Sequence, residues 1–167
     1  MKYLALFLAI FICLNARSQD STKKASITYK TYTSFPAFPL MALDSSRFNS
    51  ISVLAKNQPL VVIYFSPTCS HCQHQAEEIT SHMNEFKNVK FLMVSSYPIT
   101  EIKEFATTYA IQRFQNITLA HDPNFSMGQF YELRSLPGIY VYDKKGLFKK
   151  NFETNVMADV LWNALNL

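Results

Sequence analysis

The chain has 167 residues, of which 49% are hydrophobic and 17% are charged, and its formal net charge at neutral pH is +4. This length allows one domain with a sizeable core, and the hydrophobic content excludes an intrinsically disordered chain. The small positive charge argues against a nucleic-acid-binding protein and gives no basis for binding an anionic membrane surface.

The N-terminal residues have the pattern of an export signal. Lys2 precedes an almost wholly apolar run from Leu4 to Leu14, and small residues stand at the cleavage positions before Gln19. We therefore predict a cleaved signal peptide, residues 1–18, and an exported protein that is periplasmic, otherwise extracytoplasmic or secreted. The apolar run is too short for a comfortable bilayer span, so a retained N-terminal anchor is the alternative. Cleavage lowers the net charge from +4 to +2.

The segment after the signal is predicted to lead into the domain. Ile27 to Tyr32 alternates with β-branched and aromatic residues, which predicts a strand or an extended arm within an N-terminal extension, residues 19–34. The two prolines in Phe35 to Pro39 make this stretch a non-helical connection. Arg47 to Lys56 predicts a short helix. Three of its side chains would point inward: Phe48, Ile51 and Leu54.

The middle of the chain predicts a buried strand followed by an amphipathic helix. Leu60 to Ser66 has no polar alternation, which is typical of a central strand that is buried on both faces. The helix runs from Ser70 to Phe86, and its apolar residues recur in steps of four and three. The inward residues are Cys72, Ala76, Ile79, Met83 and Phe86. The residues off this stripe are His71, His74, Gln75, Glu78 and His82.

The second half of the chain alternates predicted strands and helices and ends in a hairpin and a helix. In chain order the predicted elements are a strand, Val89 to Ser95; a helix with Ile102, Phe105, Ala106, Tyr109 and Ala110 inward; a strand, Ile117 to Ala120; a helix opened by Asp122 and Pro123 that runs through Tyr131 and presents Phe125 and Phe130; a hairpin of Ile139 to Tyr142 with Leu147 to Phe152; and a helix, Val156 to Leu165.

Cys69-Ser70-His71-Cys72, directly after the buried strand, is the motif that indicates chemistry. Loss of the signal would remove Cys13 and leave one closely spaced pair, whereas structural disulfides in exported proteins come in larger sets. The first N–H groups of the helix stabilise a thiolate at Cys69. Because Cys72 points inward, we predict that Cys69 attacks in thiol–disulfide exchange and Cys72 resolves the mixed disulfide.

This order of elements, with Phe65 to Cys72 after a central strand and Leu136-Pro137-Gly138 before the hairpin, resembles the thioredoxin superfamily. Phe38-Pro39-Leu40 and His121-Asp122-Pro123 resemble its exported redoxin branch, the TlpA-like thiol:disulfide interchange proteins. The resemblance implies an α/β thioredoxin fold, a central mixed β-sheet flanked by helices, over residues 35–167, with an N-terminal β extension. It also implies cysteine-containing protein substrates and a redox partner protein, with no cofactor and no metal.

The resemblance implies further site residues beside the cysteines. The proline that matches Pro137 is cis in the family and packs against the disulfide, although an X–Pro bond taken alone is expected to be trans. The residue that matches Leu136 pairs its backbone with an extended substrate strand. Thr68 stands where the family often has tryptophan, and we assign it to substrate binding with Leu136.

The chain departs from the family pattern at the proton acceptor. Many members carry a buried carboxylate at the position of Ile63 or of Gln75, so the usual acceptor for the proton of Cys72 is missing. A water, Glu78 or a nearby histidine would have to substitute. His71 between the cysteines favours the Cys69 thiolate and a more oxidising pair, whereas members of this branch frequently act as reductases. The direction of electron flow therefore stays open.

The rival class is a noncatalytic thioredoxin-fold binding module, either an adaptor with a structural disulfide or a metal carrier. Cys69 and Cys72 with His71 and His74 would form a Cys2His2 set, but ligands so close on one helical turn make poor tetrahedral geometry. Haem attachment is disfavoured because Gln73, not histidine, follows the pair. A peroxidatic redoxin is disfavoured because those resemble a pattern with threonine where this chain has Ser66.

Overall fold

The computed structural model describes residues 27–166, and within that range a mixed sheet of seven strands forms the centre. The strands are β1 (Pro39–Met41), β2 (Arg47–Asn49), β3 (Leu60–Tyr64), β4 (Lys90–Ser95), β5 (Ile117–His121), β6 (Gly138–Tyr142) and β7 (Phe148–Phe152). Their order across the sheet is β2-β1-β5-β4-β3-β6-β7. Strands β3, β4 and β5 are parallel, and the remaining pairs are antiparallel. The predicted signal, with Cys13, lies outside the described residues.

Helices cover both faces of this sheet. They are α1 (Ser70–Ser81), α2 (Ile99–Thr108), α3 (Ser126–Phe130) and α4 (Ala158–Leu165), with short 3-10 helices at Ser50–Val53 and Ile111–Arg113. Helices α1, α2 and α4 pack on one face, and α3 packs on the other. This is the predicted thioredoxin fold. None of the helices among residues 27–166 has the length and apolar character needed to cross a membrane.

Strand β3 separates the two cores. All five of its residues are buried, as their unbroken apolar sequence predicts. Val61 and Ile63 point to the side of α1, α2 and α4, which we call the cysteine face. Leu60, Val62 and Tyr64 point to the side of α3, which we call the tyrosine face. Because β3 lies in the middle of the sheet, its C-terminal end holds the following loop, residues 65–69, over the centre of the fold.

The strand predicted for Ile27 to Tyr32 is wrong. The N–H groups of Thr31 and Tyr32 both donate to the carbonyl of Thr28, at 3.0 and 2.9 Å, which closes a turn. Thr28 and Tyr29 are both buried, so the burial does not alternate. Tyr29 donates its N–H to Phe130 O at 3.2 Å, and this tertiary contact outweighs the local strand pattern. The first strands of the described chain are the antiparallel pair β1 and β2, which lie within residues 35–167.

The helix predicted for Arg47 to Lys56 is replaced by β2 and one 3-10 turn. Ile51 is 46% exposed and Leu54 is 38% exposed, so neither faces inward as predicted. The buried residue is Ser50, whose hydroxyl donates to Pro36 O at 2.7 Å and accepts from Phe38 N at 2.8 Å. These two bonds tie the turn to the proline-containing connection, which a helix in this place would not allow.

Two other helices differ from their predicted limits. Helix α1 ends at Ser81, and Met83 and Phe86 are buried from the turns that follow it. Helix α3 begins at Ser126, because Asp122 accepts from the N–H groups of Ser126 and Met127 at 3.0 and 2.8 Å across an intervening turn. Phe125 lies in that turn with φ 53° and is 40% exposed, so it is not the core residue that was predicted.

Candidate active site

Cys69 lies at the N-terminus of α1, at the end of the loop that follows β3. Its backbone is extended, with φ −85° and ψ 119°, and its carbonyl accepts the N–H groups of Cys72 and Gln73, each at 3.0 Å. The sulfur is half-buried and makes no capping bond to the helix. Helix α1 therefore begins beside a sulfur that solvent can reach.

Cys72 is 1% exposed and faces the core between α1 and the sheet. Burial raises the pKa of the Cys72 thiol to about 12, and the Ser66 backbone opposes this rise while the neighbouring Cys69 adds to it. Both cysteines are free thiols in this structure. The predicted arrangement, with Cys69 outward and Cys72 inward, is the one observed.

The loop before β6 approaches Cys69 through Leu136. The Leu136–Pro137 peptide bond is cis, as the family resemblance implies and as proline in isolation does not. The Cys69 thiol donates to the carbonyl of Leu136 with a sulfur–oxygen distance of 3.7 Å. The loop before β6 thus brings a backbone acceptor to a sulfur that is 67 residues away in sequence.

Thr68 lies exposed beside Cys69 in the loop between β3 and α1. Its hydroxyl is 3.0 Å from the hydroxyl of Ser66, which also accepts the Thr68 N–H at 3.3 Å. The Gln73 side-chain amide donates to Pro67 O at 3.0 Å and closes the loop onto the first turn of α1. A groove of about 210 Å³ opens here between the loop and α2. Its walls include Pro67, Thr68, Gln73, Glu101, Glu104 and Tyr109.

His71 is exposed and lies against a residue that the sequence does not point to. Its Nδ1 is 3.0 Å from Asn155 Oδ1. Because an amide oxygen only accepts, Nδ1 carries the proton in this contact, and Nε2 is the atom left to face other groups. Asn155 precedes α4 and is 84 residues from His71, so a single sequence contains no local signal for the pair.

The polar side of α1 is occupied by the start of α4. Gln75 was predicted to lie off the buried stripe, but it is 1% exposed, and its Oε1 accepts Val156 N–H at 2.7 Å. One turn later, Glu78 Oε1 accepts Ala158 N–H at 2.8 Å. Val156 lies just before α4 and Ala158 is its first residue, and neither N–H has a partner within the helix, so the docking of this segment draws both acceptors into the interface.

The histidines of α1 do not assemble a metal centre within residues 27–166. His74 Nδ1 pairs with Glu77 Oε2 at 3.4 Å, and both side chains are exposed. His82 Nδ1 lies 2.9 Å from the carbonyl of Glu78. In this part of the chain, no group of three or more His, Cys, Asp or Glu residues is arranged to hold a metal ion.

Comparison with known proteins identifies a family model and a set of similar structures. The model of the AhpC/TSA family matches residues 33–150. Protein disulfide isomerase-like 1-1 of Arabidopsis thaliana is 27% identical over 109 residues, which are 64% of this chain and 21% of that protein. The chain therefore spans about a fifth of the length of this curated relative.

Two solved structures illustrate the structural similarity. A secreted Mycobacterium tuberculosis disulfide oxidoreductase homologous to E. coli DsbE superposes with a TM-score of 0.63 at 18% identity, covering 77% of this chain and 94% of the other. Peroxidoxin BcpB from Mycobacterium tuberculosis superposes with a TM-score of 0.66 at 16% identity, covering 80% and 94%. At these identities the two structures show a shared fold.

Proposed function

Since the chain belongs to the AhpC/TSA family, whose match spans the cysteine pair, we propose that it is an exported thiol:disulfide oxidoreductase that acts on cysteine-containing proteins. The observation that carries the proposal is the unequal placement of the two thiols. Cys69 is half-buried at a helix N-terminus, where solvent reaches its sulfur, and Cys72 is buried. A structural disulfide needs no such difference, whereas exchange requires one thiol that partners reach and one that they do not.

In the reducing direction, the Cys69 thiolate attacks one sulfur of a substrate disulfide. A mixed disulfide forms, and the other substrate sulfur leaves as a thiolate. The Cys72 thiolate then attacks the Cys69 sulfur, which forms the Cys69–Cys72 disulfide and releases the second substrate thiolate. Two electrons pass from the pair to the substrate, and the reverse sequence oxidises a substrate dithiol. A redox partner protein returns the pair to its starting state.

Leu136, Pro137 and Thr68 are the proposed substrate-binding surface around Cys69. The Leu136 carbonyl lies 3.7 Å from the attacking sulfur, so a substrate strand that pairs with Leu136 would hold its cysteine at Cys69. Pro137 has no N–H group, so in this proposal it does not compete with Leu136 for the substrate backbone. Thr68 borders the groove towards α2, where the side chains that flank a substrate cysteine would lie.

His71 is the residue proposed to tune the redox potential. A protonated imidazole next to Cys69 favours the thiolate and makes the disulfide easier to reduce. Titration of the pair against glutathione or dithiothreitol buffers, read by thiol alkylation and mass, decides the direction. A midpoint near about −270 mV supports a reductase, and one between about −180 and −120 mV supports an oxidase or isomerase. A pair that does not cycle supports the binding module instead.

Two cysteine variants test the exchange reaction itself. With a disulfide-containing protein as substrate and dithiothreitol as the reductant, Cys69→Ser should abolish turnover, because the attacking thiolate is gone. Cys72→Ser should accumulate mixed disulfides on Cys69, visible on non-reducing gels and reversed by excess thiol. Ser70→Ala, which changes a neighbouring hydroxyl and leaves both thiols, is the matched control. Full turnover in both cysteine variants would overturn the proposal.

Peroxide reduction is the second candidate, because a structural neighbour is a peroxidoxin and the matching family is AhpC/TSA. In that reaction the Cys69 thiolate would attack one oxygen of hydrogen peroxide and become a sulfenic acid, while the other oxygen leaves as hydroxide. The Cys72 thiol would then condense with the sulfenic acid, which forms the disulfide and releases water. The two activities are compared on one preparation by the second-order rate constants for Cys69 oxidation by hydrogen peroxide and by a protein disulfide. A faster reaction with the peroxide would favour this candidate.

Export is part of the proposal because oxidising compartments are where protein disulfides persist. The mature protein would consist of the extension, residues 19–34, and the domain, residues 35–167. Mass spectrometry of the protein recovered from the extracytoplasmic fraction should give an N-terminus at Gln19. Recovery of the uncleaved chain in the membrane fraction would contradict cleavage and support the alternative, a retained N-terminal anchor.

A further inference from the structure

The side-chain amide of Gln75 is buried but only half paired. Its Oε1 accepts Val156 N–H at 2.7 Å, while its Nε2 has no hydrogen-bond partner among residues 27–166. Rotating the amide by half a turn would place its NH₂ against the Val156 N–H, two donors face to face, so the Val156 contact fixes the orientation. A buried NH₂ without an acceptor destabilises a fold. Such a group indicates an acceptor that arrives in another state of the protein.

Cys72, one turn before Gln75 on α1, is a residue at which a strong acceptor can arise. Residues three apart on a helix are neighbours on its surface, and helical side chains lean towards the N-terminus. The Gln75 side chain therefore extends over the turn that contains Cys72, and both residues are 1% exposed. A neutral thiol accepts hydrogen bonds weakly, whereas a thiolate is a strong acceptor.

The ionisable side chains around this turn are already engaged. On α1, His71 is paired with Asn155 Oδ1, His74 with Glu77, and Glu78 with Ala158 N–H. On α4, the acid that faces α1 is Asp159, which acts on His82. Apart from the Ser66 backbone, Cys69 is the group that acts on the Cys72 thiol, whose pKa burial raises. None of these contacts offers a base to Cys72, and Gln75 Oε1 is used by Val156.

We propose that Gln75 Nε2 is the hydrogen-bond donor that stabilises the Cys72 thiolate during resolution of the mixed disulfide. The inference rests on the function proposed above. The Cys72 S–H gives its proton to a solvent hydroxide, which becomes water, and the thiolate accepts the Gln75 N–H. It then attacks the Cys69 sulfur, the bond between Cys69 and the substrate sulfur breaks, and the substrate leaves as a thiolate. Gln75 stabilises the negative charge of the Cys72 thiolate but accepts no proton.

Stopped-flow mixing of the reduced protein with excess 5,5′-dithiobis(2-nitrobenzoate) separates the two steps, because each releases one coloured thiolate. The first phase is the attack of Cys69 and depends on the reagent concentration. The second phase is the attack of Cys72 on the mixed disulfide and does not. For the unaltered protein, the second rate should rise about tenfold per pH unit between pH 6 and 9, because hydroxide supplies the thiolate.

Three variants at two positions of α1 test the donor. Gln75→Leu removes it, and the second rate should fall about tenfold at every pH, the size of one lost bond to a charged group. Gln75→Glu keeps an oxygen for Val156 N–H and adds a carboxylate that accepts the Cys72 proton, so the second phase should become faster at pH 7 and nearly independent of pH. Glu77→Gln is the matched control on the same helix, because its side chain is 58% exposed, and its profile should follow the unaltered protein.

The outcomes separate this inference from the proposed function. A Gln75→Glu profile that matches the unaltered protein, with a normal first phase, would overturn the role of Gln75 and leave exchange intact, because a merely structural acceptor for Val156 would behave in this way. A missing first phase, or a second phase that persists in Cys72→Ser, would instead overturn the proposed function.

Discussion

The two faces of the sheet handle buried polar groups in opposite ways. On the tyrosine face, Asp122 is fully buried and accepts from Tyr64 Oη, Ser126 N and Met127 N, at 3.2, 3.0 and 2.8 Å. Burial and the charge of Asp122 raise the pKa of Tyr64, which therefore stays protonated and donates. On the cysteine face lie the two buried side-chain nitrogens that lack partners within residues 27–166. They are Gln75 Nε2 and His121 Nδ1.

The comparison separates structural polar groups from groups available for chemistry. His121 and Asp122 are adjacent, and alternation along β5 places His121 on the cysteine face, with Ile117 and Leu119. Asp122 is saturated by donors and joins the sheet to α3, so it stabilises one arrangement of the chain. The cysteine face leaves Gln75 Nε2 and His121 Nδ1 without partners among residues 27–166, on the same face as a thiol that changes charge during the proposed reaction. Four predictions test this division, from the largest effect to the smallest.

Asp122→Ala should cause the largest loss of stability. It leaves the donors of Tyr64, Ser126 and Met127 buried without an acceptor, which is expected to lower the free energy of unfolding by about 3 kcal/mol. Urea denaturation followed by circular dichroism measures the loss, and Asp122→Asn, which keeps one oxygen, should lose less. The first-phase rate of Cys69 should not change. A loss below about 1 kcal/mol would contradict the structural role given to this carboxylate.

Tyr142→Phe should have the next largest effect. The hydroxyls of Tyr131 and Tyr142 are 2.9 Å apart and both buried, so removal of one leaves the other unpaired, at a loss of about 1–2 kcal/mol. Tyr131→Phe should lose a similar amount. The double variant should lose less than the two single losses combined, because no unpaired hydroxyl remains. Additive losses in a double-mutant cycle would show that the hydroxyls do not stabilise each other.

His121→Phe should change stability little, within about 0.5 kcal/mol, and in either direction. The substitution keeps an aromatic ring of similar size and removes a buried nitrogen that has no partner. Both variants are measured in the same urea series, so the stability changes at two neighbouring residues that point to opposite faces can be compared. A loss as large as that of Asp122→Ala would remove the contrast between the faces.

The pH dependence at His82 should be the smallest effect, because the side chain is 41% exposed and solvent screens its charge. Its hydrogen bond to the Glu78 carbonyl, with the Glu78 and Glu85 charges, raises the pKa of His82 in the folded state. The protonated form is therefore favoured by folding, so the contribution is present below about pH 6.5 and is lost as the pH rises through the folded-state pKa. The stability gap to His82→Gln should be larger at pH 5.5 than at pH 8.5. An equal stability gap at the two pH values would contradict the stabilisation given to protonated His82.

Much of the fold follows from local sequence patterns. The unbroken apolar run of β3 predicts a central strand, and the apolar stripe of α1 predicts that Cys72 is buried while Cys69 stays accessible. Both features depend on residues within one or two turns of each other. The spacing of apolar residues over such a short range can be recognised in a single sequence. The same holds for the hairpin of β6 and β7, whose turn residues stand together.

Contacts between distant residues were decided by the tertiary structure alone. Gln75 is predicted to lie on the surface, yet it is buried because the segment that leads into α4 docks against α1, where Val156, 81 residues later, donates its N–H to Gln75. The turn at Thr28 and Tyr29 replaces a predicted strand because Phe130 and the tyrosine face hold it. The sequence by itself determined where the thiols lie and which is exposed. Only the assembled fold decided which polar groups surround them, because hydrogen-bond partners depend on packing between elements and not on spacing within one.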